Sequence, residues 1–200
     1  MAKQNQAQAA YEKIREKLIS RALEPGQRLI ERIWADELNV NRADARQAFS
    51  RLLGEGLLNA GPKGGFFVRE FTPAEMSELN EIRLVLEHAA AKWAVNRATK
   101  GDIAQLEKIC EHMKLMADNG YRMGMGEADL EFHETLMKSA HNSKLEFIYK
   151  IANLPLSMHI SPNVDKEKLV SDVTDHIAIV EALKKKNLPE MLKLLSKGLV

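Results

Sequence analysis

Apolar residues recur every three to four positions over most of this chain, and a short glycine-punctuated window near residue 60 is where that rhythm breaks. Between residues 7 and 20, Ala10, Tyr11, Ile14 and Leu18 share one face and Glu12, Lys13, Glu16 and Lys17 the other, which predicts an amphipathic helix. Glu24-Pro25-Gly26 ends it, because proline fixes φ and glycine frees it, and Gln27 to Ile30 then reads as a short extended segment. A second helix is predicted over Glu31 to Leu38. Asn39-Val40-Asn41 follows with, in order, a residue tolerant of left-handed backbone, an apolar plug and an N-cap. A tight turn between two helices needs those three. The third helix, from Arg42 to Gly54 or Gly56, buries Ala45, Ala48, Phe49, Leu52 and Leu53 and projects Arg42, Ala43 and Arg46. Gly54, Gly56, Pro62, Gly64 and Gly65 then punctuate two short strands, Leu57-Leu58 and Phe66-Phe67-Val68, around a tip that carries Lys63.

A new helix start follows at once, with Thr72 as N-cap, Pro73 in the first turn and Glu75 reaching back. It places a domain boundary between residues 71 and 72. Pro73 to Thr99 is predicted as one long helix with Met76, Leu79, Ile82, Leu86, Ala89, Ala90, Trp93 and Ala94 at core spacing. Further helices are expected over Asp102–Asn119, Ala128–Ala140, Ser143 to about Met158, Lys166–Lys186 and Pro189–Ser196. Gly120, Gly124 and Gly126 are assigned to a loop, and Ser161-Pro162-Asn163 to another. Nothing after residue 71 reads as a strand. The fold class is therefore mainly α: a winged helix-turn-helix over residues 1–71, followed by an all-helical bundle over 72–200.

Charge sharpens this picture. Residues 1–70 hold 12 Lys/Arg against 9 Asp/Glu, and the rest 17 against 19, so the modest basic excess lies on the winged helix. Cys110, the single cysteine, excludes an intramolecular disulfide framework and sits at core spacing. No run approaches the roughly 18 apolar residues of a membrane span, and the N-terminus is too polar for a signal peptide. A cytoplasmic location is expected.

Two sets of residues carry chemistry. Arg42, Ala43 and Arg46 lie at the N-terminal end of the third helix, the part of a recognition helix that meets base edges, and arginine can pair bidentately with guanine. The basic wing tip suits a phosphate or the minor groove. The competing reading of the same block is a helical hairpin with a β-ribbon used for protein contacts. In the bundle, Asp129 and His133 stand four residues apart on one helix face, and His176 on a later helix can close a facial set for a divalent transition metal. Hydrogen-bonded core or surface groups remain the alternative on spacing alone. Arg83 can face the bundle interior and pair with a carboxylate, or lie outside and bridge to Glu87. Nucleotide-binding glycine patterns and nucleophile motifs are missing.

The run LEPGQRLIERIWADELNVNRADARQAFSRLLGEGLL, with GGFFV after it, resembles the N-terminal DNA-binding domain of GntR-type bacterial transcription regulators. That resemblance implies that Arg32, Asn41, Arg42, Arg46, Lys63 and Gly64 fall where family members contact operator DNA. Asn41 stands where Ser or Thr is usual, Ala43-Asp44 replaces the common Thr-Pro, and Trp34 replaces a Leu. These departures leave the fold and put base preference in question. The stretches EIRLVLEHAAAKWA, EADLEFHETLMKSAHNSKL and DHIAIVEALKKKNLPEMLKLL are similar to the FCD effector domain of the FadR-type branch. There the resemblance implies a cavity lined by an Asp and three His, often around zinc or nickel, that takes a small carboxylate metabolite. Asp129, His133 and His176 match three of those positions and Gly198, which cannot ligate, falls at the fourth; His141 and His159 are the available substitutes.

The expected function is a ligand-responsive transcription regulator and not an enzyme, a repressor that binds a palindromic double-stranded DNA operator as a homodimer and answers to a small organic acid. One recognition helix reads too few bases, so a two-fold pair is expected. Two alternatives stand beside it: a metal-dependent hydrolytic enzyme with an accessory nucleic-acid module, and a metal-free acyl-type sensor.

Overall fold

The Asn39-Val40-Asn41 turn forms as its residue types dictate. Asn39 takes φ 54 and ψ 47 and ends α2 (Glu31–Leu38) in the left-handed region. Asn41 is extended, with φ −79 and ψ 163, and its side chain accepts from the Asp44 backbone N–H to start α3 (Arg42–Gly54). The computed structural model describes residues 2–19, 22–152 and 165–197 and, within them, every side chain except those of 2–5, 19 and 123. The chain divides into two compact units, Met1–Pro73 and Ala74–Val200.

In the first unit, α1 (Ala2–Ile19) packs on α3, burying Ala10, Tyr11, Ile14 and Leu18 beside Ala45, Ala48, Phe49 and Leu52. Phe49 is fully buried, with the Trp34 ring edge-on at 6.4 Å and Phe66 tilted at 5.1 Å. Leu53, expected inside, is only half-buried, because it stands one residue round the helix from Leu52, which fills the inward position. The strands also differ from expectation. β2 (Leu58–Ala60) starts one residue later and runs further, and β1 (Arg28–Leu29) joins it in a three-stranded antiparallel sheet of order β1-β3-β2, with β3 (Phe66–Val68) central. Arg28 stands opposite Phe67 and Leu29 opposite Phe66. Gly64 and Gly65 at the hairpin tip take φ of +82 and +93, a region that side chains with a Cβ rarely adopt.

The second unit contains α4 (Pro73–Arg97), α5 (Lys100–Asp118), α6 (Arg122–Ser139), α7 (Ser143–Ile151), α8 (Lys166–Lys184) and α9 (Leu188–Lys197). Among its described residues there is no strand. A core built from Leu106, Met113, Phe132, Leu136, Val173 and Val180 joins α5, α6 and α8, and α4 and α9 close over it with Ala91, Ala94 and Met191. A second cluster packs Leu86 and Trp93 of α4 against Leu145 and Tyr149 of α7. Thr99 and Asp102 form a reciprocal capping box at the start of α5. Cys110 is buried, and burial, with Glu107 nearby, pushes its thiol up to about 12, as expected of a packing residue.

Two expectations are overturned here. Gly124 and Gly126 lie inside α6 rather than in a loop. A Cβ on Gly124 would stand 2.5 Å from the Tyr121 ring and 2.6 Å from Met116 Sδ, so glycine serves close packing at this helix start. On α4, Ala90 and Ala94 are buried as expected and Leu79, Leu86, Ala89 and Trp93 pack on the second cluster, but Ile82 is 47% exposed, and Arg83 and Glu87 turn inward in its place. The interior facing that half of α4 is polar, so the charged residues turn in and the isoleucine turns out. The end of the predicted Ser143–Met158 helix, the Ser161-Pro162-Asn163 stretch, His159 and Gly198 lie outside the described residues. No described helix is long and apolar enough to cross a membrane.

Candidate functional site

On the first unit, capping by Asn41 fixes where α3 begins and so which residues project from its first turns. Asn41 Oδ1 accepts from the Asp44 N–H at 2.8 Å, and its Nδ2 donates to Asp44 Oδ2 at 2.6 Å. Asp44 is thereby engaged locally and buried, rather than standing out from the helix. Arg42, Ala43 and Arg46 are exposed, as are Arg32 on α2 and Lys63 and Gly64 at the hairpin tip. Arg42 and Arg46 converge on a residue that spacing did not single out: Glu31 Oε2 lies 3.6 Å from Arg42 Nη2, and Glu31 Oε1 lies 3.6 Å from Arg46 Nε.

On the second unit, helix periodicity stacks Asp129 and His133 on the inner face of α6, and α8 brings His176 to them. Their ligand-type atoms all lie within 4.8 Å of one another. His176 Nε2 is 3.1 Å from Asp129 Oδ1, the two His Nε2 atoms are 3.4 Å apart, and His133 Nε2 is 3.9 Å from Asp129 Oδ1. Donors about 2.1 Å from one tetrahedral ion stand roughly 3.4 Å apart, so these separations fit a single metal.

The far nitrogens argue the same way. His176 Nδ1 donates to the Asp172 carbonyl at 2.7 Å, and a carbonyl only accepts, so in the neutral ring the Nε2 lone pair is aimed inward. His133 Nδ1 lies 2.8 Å from Glu87 Oε1, although its N–H is not aligned on that oxygen, and this too directs Nε2 at the centre. Two inward lone pairs and a carboxylate repel unless a cation or a proton sits among them. A proton on His176 is the metal-free solution. Burial opposes charge on that ring, but the Asp129 hydrogen bond and charge, with Asp172, outweigh it and hold His176 above its ordinary value. Burial would raise the Asp129 carboxyl, yet the His176 hydrogen bond and the charges of His133, His176 and Arg83 hold it below the usual range.

Behind the three stands Glu87, only 1% exposed, which the sequence offered merely as a partner for Arg83. Its Oε1 is 3.6 Å from Arg83 Nε and 3.4 Å from the Tyr149 hydroxyl, which donates to it. Burial would lift this carboxyl, but His133 and Arg83 keep it lowered and charged. Arg83 is itself buried, so both sequence readings of it hold in part: it faces inward and it bridges to Glu87. One turn before Arg83, Asn80 Oδ1 is a buried acceptor with no protein partner. Glu131 is exposed and bonds Gln105, and His141 is engaged with Asp102 at 2.9 Å, so neither joins the centre.

Comparison with known proteins bears on both units. Residues 6–68 match the bacterial regulatory proteins, gntR family, and residues 78–196 match the FCD domain. The chain is 27% identical over 179 residues to the HTH-type transcriptional regulator YdhC of Bacillus subtilis (strain 168), covering 88% of this chain and 80% of that protein. It is 26% identical over 171 residues to the galactonate operon transcriptional repressor of Escherichia coli (strain K12), covering 74% of this chain and 73% of that one. The solved structure of E. coli McbR/YncC shares the fold, with a TM-score of 0.88 at 23% identity over 97% of this chain and 93% of that chain. Both family matches run through the elements described above and together span most of the chain, which belongs to the GntR family of bacterial transcriptional regulators and carries an FCD domain after its winged helix.

Proposed function

We propose that this regulator is a metabolite-controlled repressor that binds a palindromic operator as a homodimer and holds a divalent transition metal, zinc or nickel, at Asp129, His133 and His176. The observation that carries the sensing half is the convergence of two imidazole nitrogens and a carboxylate, with the far nitrogen of His176 on the Asp172 carbonyl and that of His133 beside Glu87. Three protein ligands leave an open coordination position, which suits a small carboxylate, and Arg83 supplies a second, planar partner for it. Asn80 Oδ1 adds an acceptor that a hydroxyl on the same acid would satisfy. Polar surroundings of this kind disfavour the metal-free acyl sensor, since an apolar chain would leave the buried Asn80 Oδ1 unsatisfied. Membership of the GntR family makes the chain a regulator and not an enzyme, which removes the hydrolase alternative.

Dimer formation draws support from apolar side chains left outside on two helices that pack together. Ile82 and Val85 of α4 are 47% and 67% exposed, and Phe147, Ile148 and Ile151 of α7 are 60%, 47% and 44% exposed. Binding of the acid would favour one placement of the two reading heads over another, a coupling typically worth about 1 to 3 kcal/mol. A cytoplasmic location goes with this role.

Calorimetric titration of protein purified without chelator or histidine tag is expected to show uptake of one zinc or nickel ion per chain, lost in His133→Ala and His176→Ala. Equal uptake by the wild type and both variants would remove the metal from this reading. At the other site, Arg46→Ala is expected to weaken binding to a selected operator by about 1 to 3 kcal/mol in fluorescence anisotropy. Unchanged sequence preference in that variant would sink Arg46 as a base reader.

A further inference from the structure

We propose that Glu31 sets the specificity of the DNA-reading face by holding Arg42 and Arg46 away from non-cognate phosphates. This rests on the proposed role of those arginines as DNA contacts. Each carboxylate oxygen of Glu31 takes a different arginine at 3.6 Å, so one acidic residue restrains both cations of the first turns of α3. The arginine side chains are 69% and 71% exposed and that of Glu31 is 24% exposed, so the pairs sit on the open surface of the unit and must rearrange when DNA arrives.

Magnitudes decide the consequence. An exposed ion pair changes an equilibrium by up to about fivefold. A single phosphate contact at physiological salt gains a similar factor, so on random sequence Glu31 competes on nearly equal terms. A bidentate arginine–guanine pair discriminates by about 5- to 150-fold and outcompetes the carboxylate. Glu31 therefore subtracts affinity mostly where no correct base is present, and its negative charge repels the phosphates that the freed arginines would otherwise gather. Specificity of this kind comes from an element that weakens the wrong complex. Asp44, the acidic residue in the first turn of α3, is buried and absorbed by its contacts with Asn41, whereas Glu31 meets both cations.

The test uses the full-length protein, with fluorescence anisotropy on a random-sequence duplex and on the best duplex recovered from a random library, in about 50 to 200 mM salt. Glu31→Gln is expected to tighten binding to the random duplex severalfold and to steepen the slope of log affinity against log salt by about one. The selected duplex gains less, so the ratio between the two falls. Should Glu31→Gln melt early, Glu31→Asp, which keeps the charge but shortens its reach, is expected to shift both quantities in the same direction by less. Unchanged or weaker binding of the random duplex with an unchanged salt slope overturns the proposal, because a merely structural role at the start of α2 would not alter the slope. Arg46→Ala in the same assay separates the two levels of inference. If it weakens neither duplex, the reading of the arginines fails; if it weakens both while Glu31→Gln changes nothing, only the role of Glu31 fails.

Discussion

Replacement of Glu87 by alanine is expected to destabilise the second unit by about 3 to 5 kcal/mol, because it leaves Arg83 as a buried charge that has lost its carboxylate. Glu87 is 1% exposed and serves three groups at once, Arg83, His133 and the Tyr149 hydroxyl, so no water can easily take its place. Urea unfolding followed by far-UV circular dichroism measures the loss, and a change below about 1 kcal/mol would contradict the buried-pair argument. Glu87→Gln separates charge from volume. It keeps the shape but cannot direct the His133 ring as strongly, and metal affinity in calorimetry is expected to fall by about 10- to 100-fold while the protein stays folded. Unaltered affinity in that variant would show that His133 is oriented by its packing against Phe132, whose ring centre lies 5.5 Å away, and not by Glu87.

The second large effect belongs to the first unit. Phe49→Ala is expected to cost about 3 to 5 kcal/mol, since its ring is fully buried among α1, α2 and the sheet and a small unit cannot collapse around the space left. For a domain of this size each kcal/mol lowers the melting temperature by about 4 to 8 °C. Trp34, edge-on to Phe49 at 6.4 Å, provides the reporter. In a Trp93→Phe background its fluorescence follows the first unit alone, and DNA binding should disappear over the same temperature range. A melting curve that overlays that of the parent would show that Trp34 and Phe66 repack into the vacated volume.

The elements that were legible beforehand are those fixed by neighbours in sequence. α2 runs over the predicted Glu31–Leu38 span, and Asn39 and Asn41 adopt the left-handed and capping conformations that their side chains favour. Elsewhere the apolar pattern was right only in part. On α4, Leu79, Leu86, Ala89 and Trp93 pack against the second cluster and Ala90 and Ala94 are buried, as the pattern predicts, yet Ile82 of the same stripe is exposed while Arg83 and Glu87 are buried. Periodicity identifies faces, but it cannot say which face meets a polar interior. Gly124 and Gly126 read as loop because glycine lowers helix propensity, and the packing of Tyr121 and Met116 against Gly124 overrides that preference.

The candidate centre divides in the same manner. Asp129 and His133 share a face because they are four residues apart on α6, while the approach of His176 depends on how α8 packs against α6. Spacing marked Glu87 only as a partner for Arg83 and did not mark Glu31 at all, because the His133 and Tyr149 contacts of the first and the two arginines of the second arrive from other elements.

What the sequence by itself determined is the order of helices, the turn that begins α3, the exposed arginines at its start and the types of residue available to bind a metal or an acid. Those follow from torsional preference, capping and spacing within a few positions. The tertiary structure alone decided that β1 completes the wing sheet, that Arg83 and Glu87 turn inward, and that Glu31 gathers Arg42 and Arg46. A buried charge is tolerated only where its compensating partners arrive. For Glu87 one of these, Tyr149, comes from 62 residues away, a distance over which local preferences carry no information.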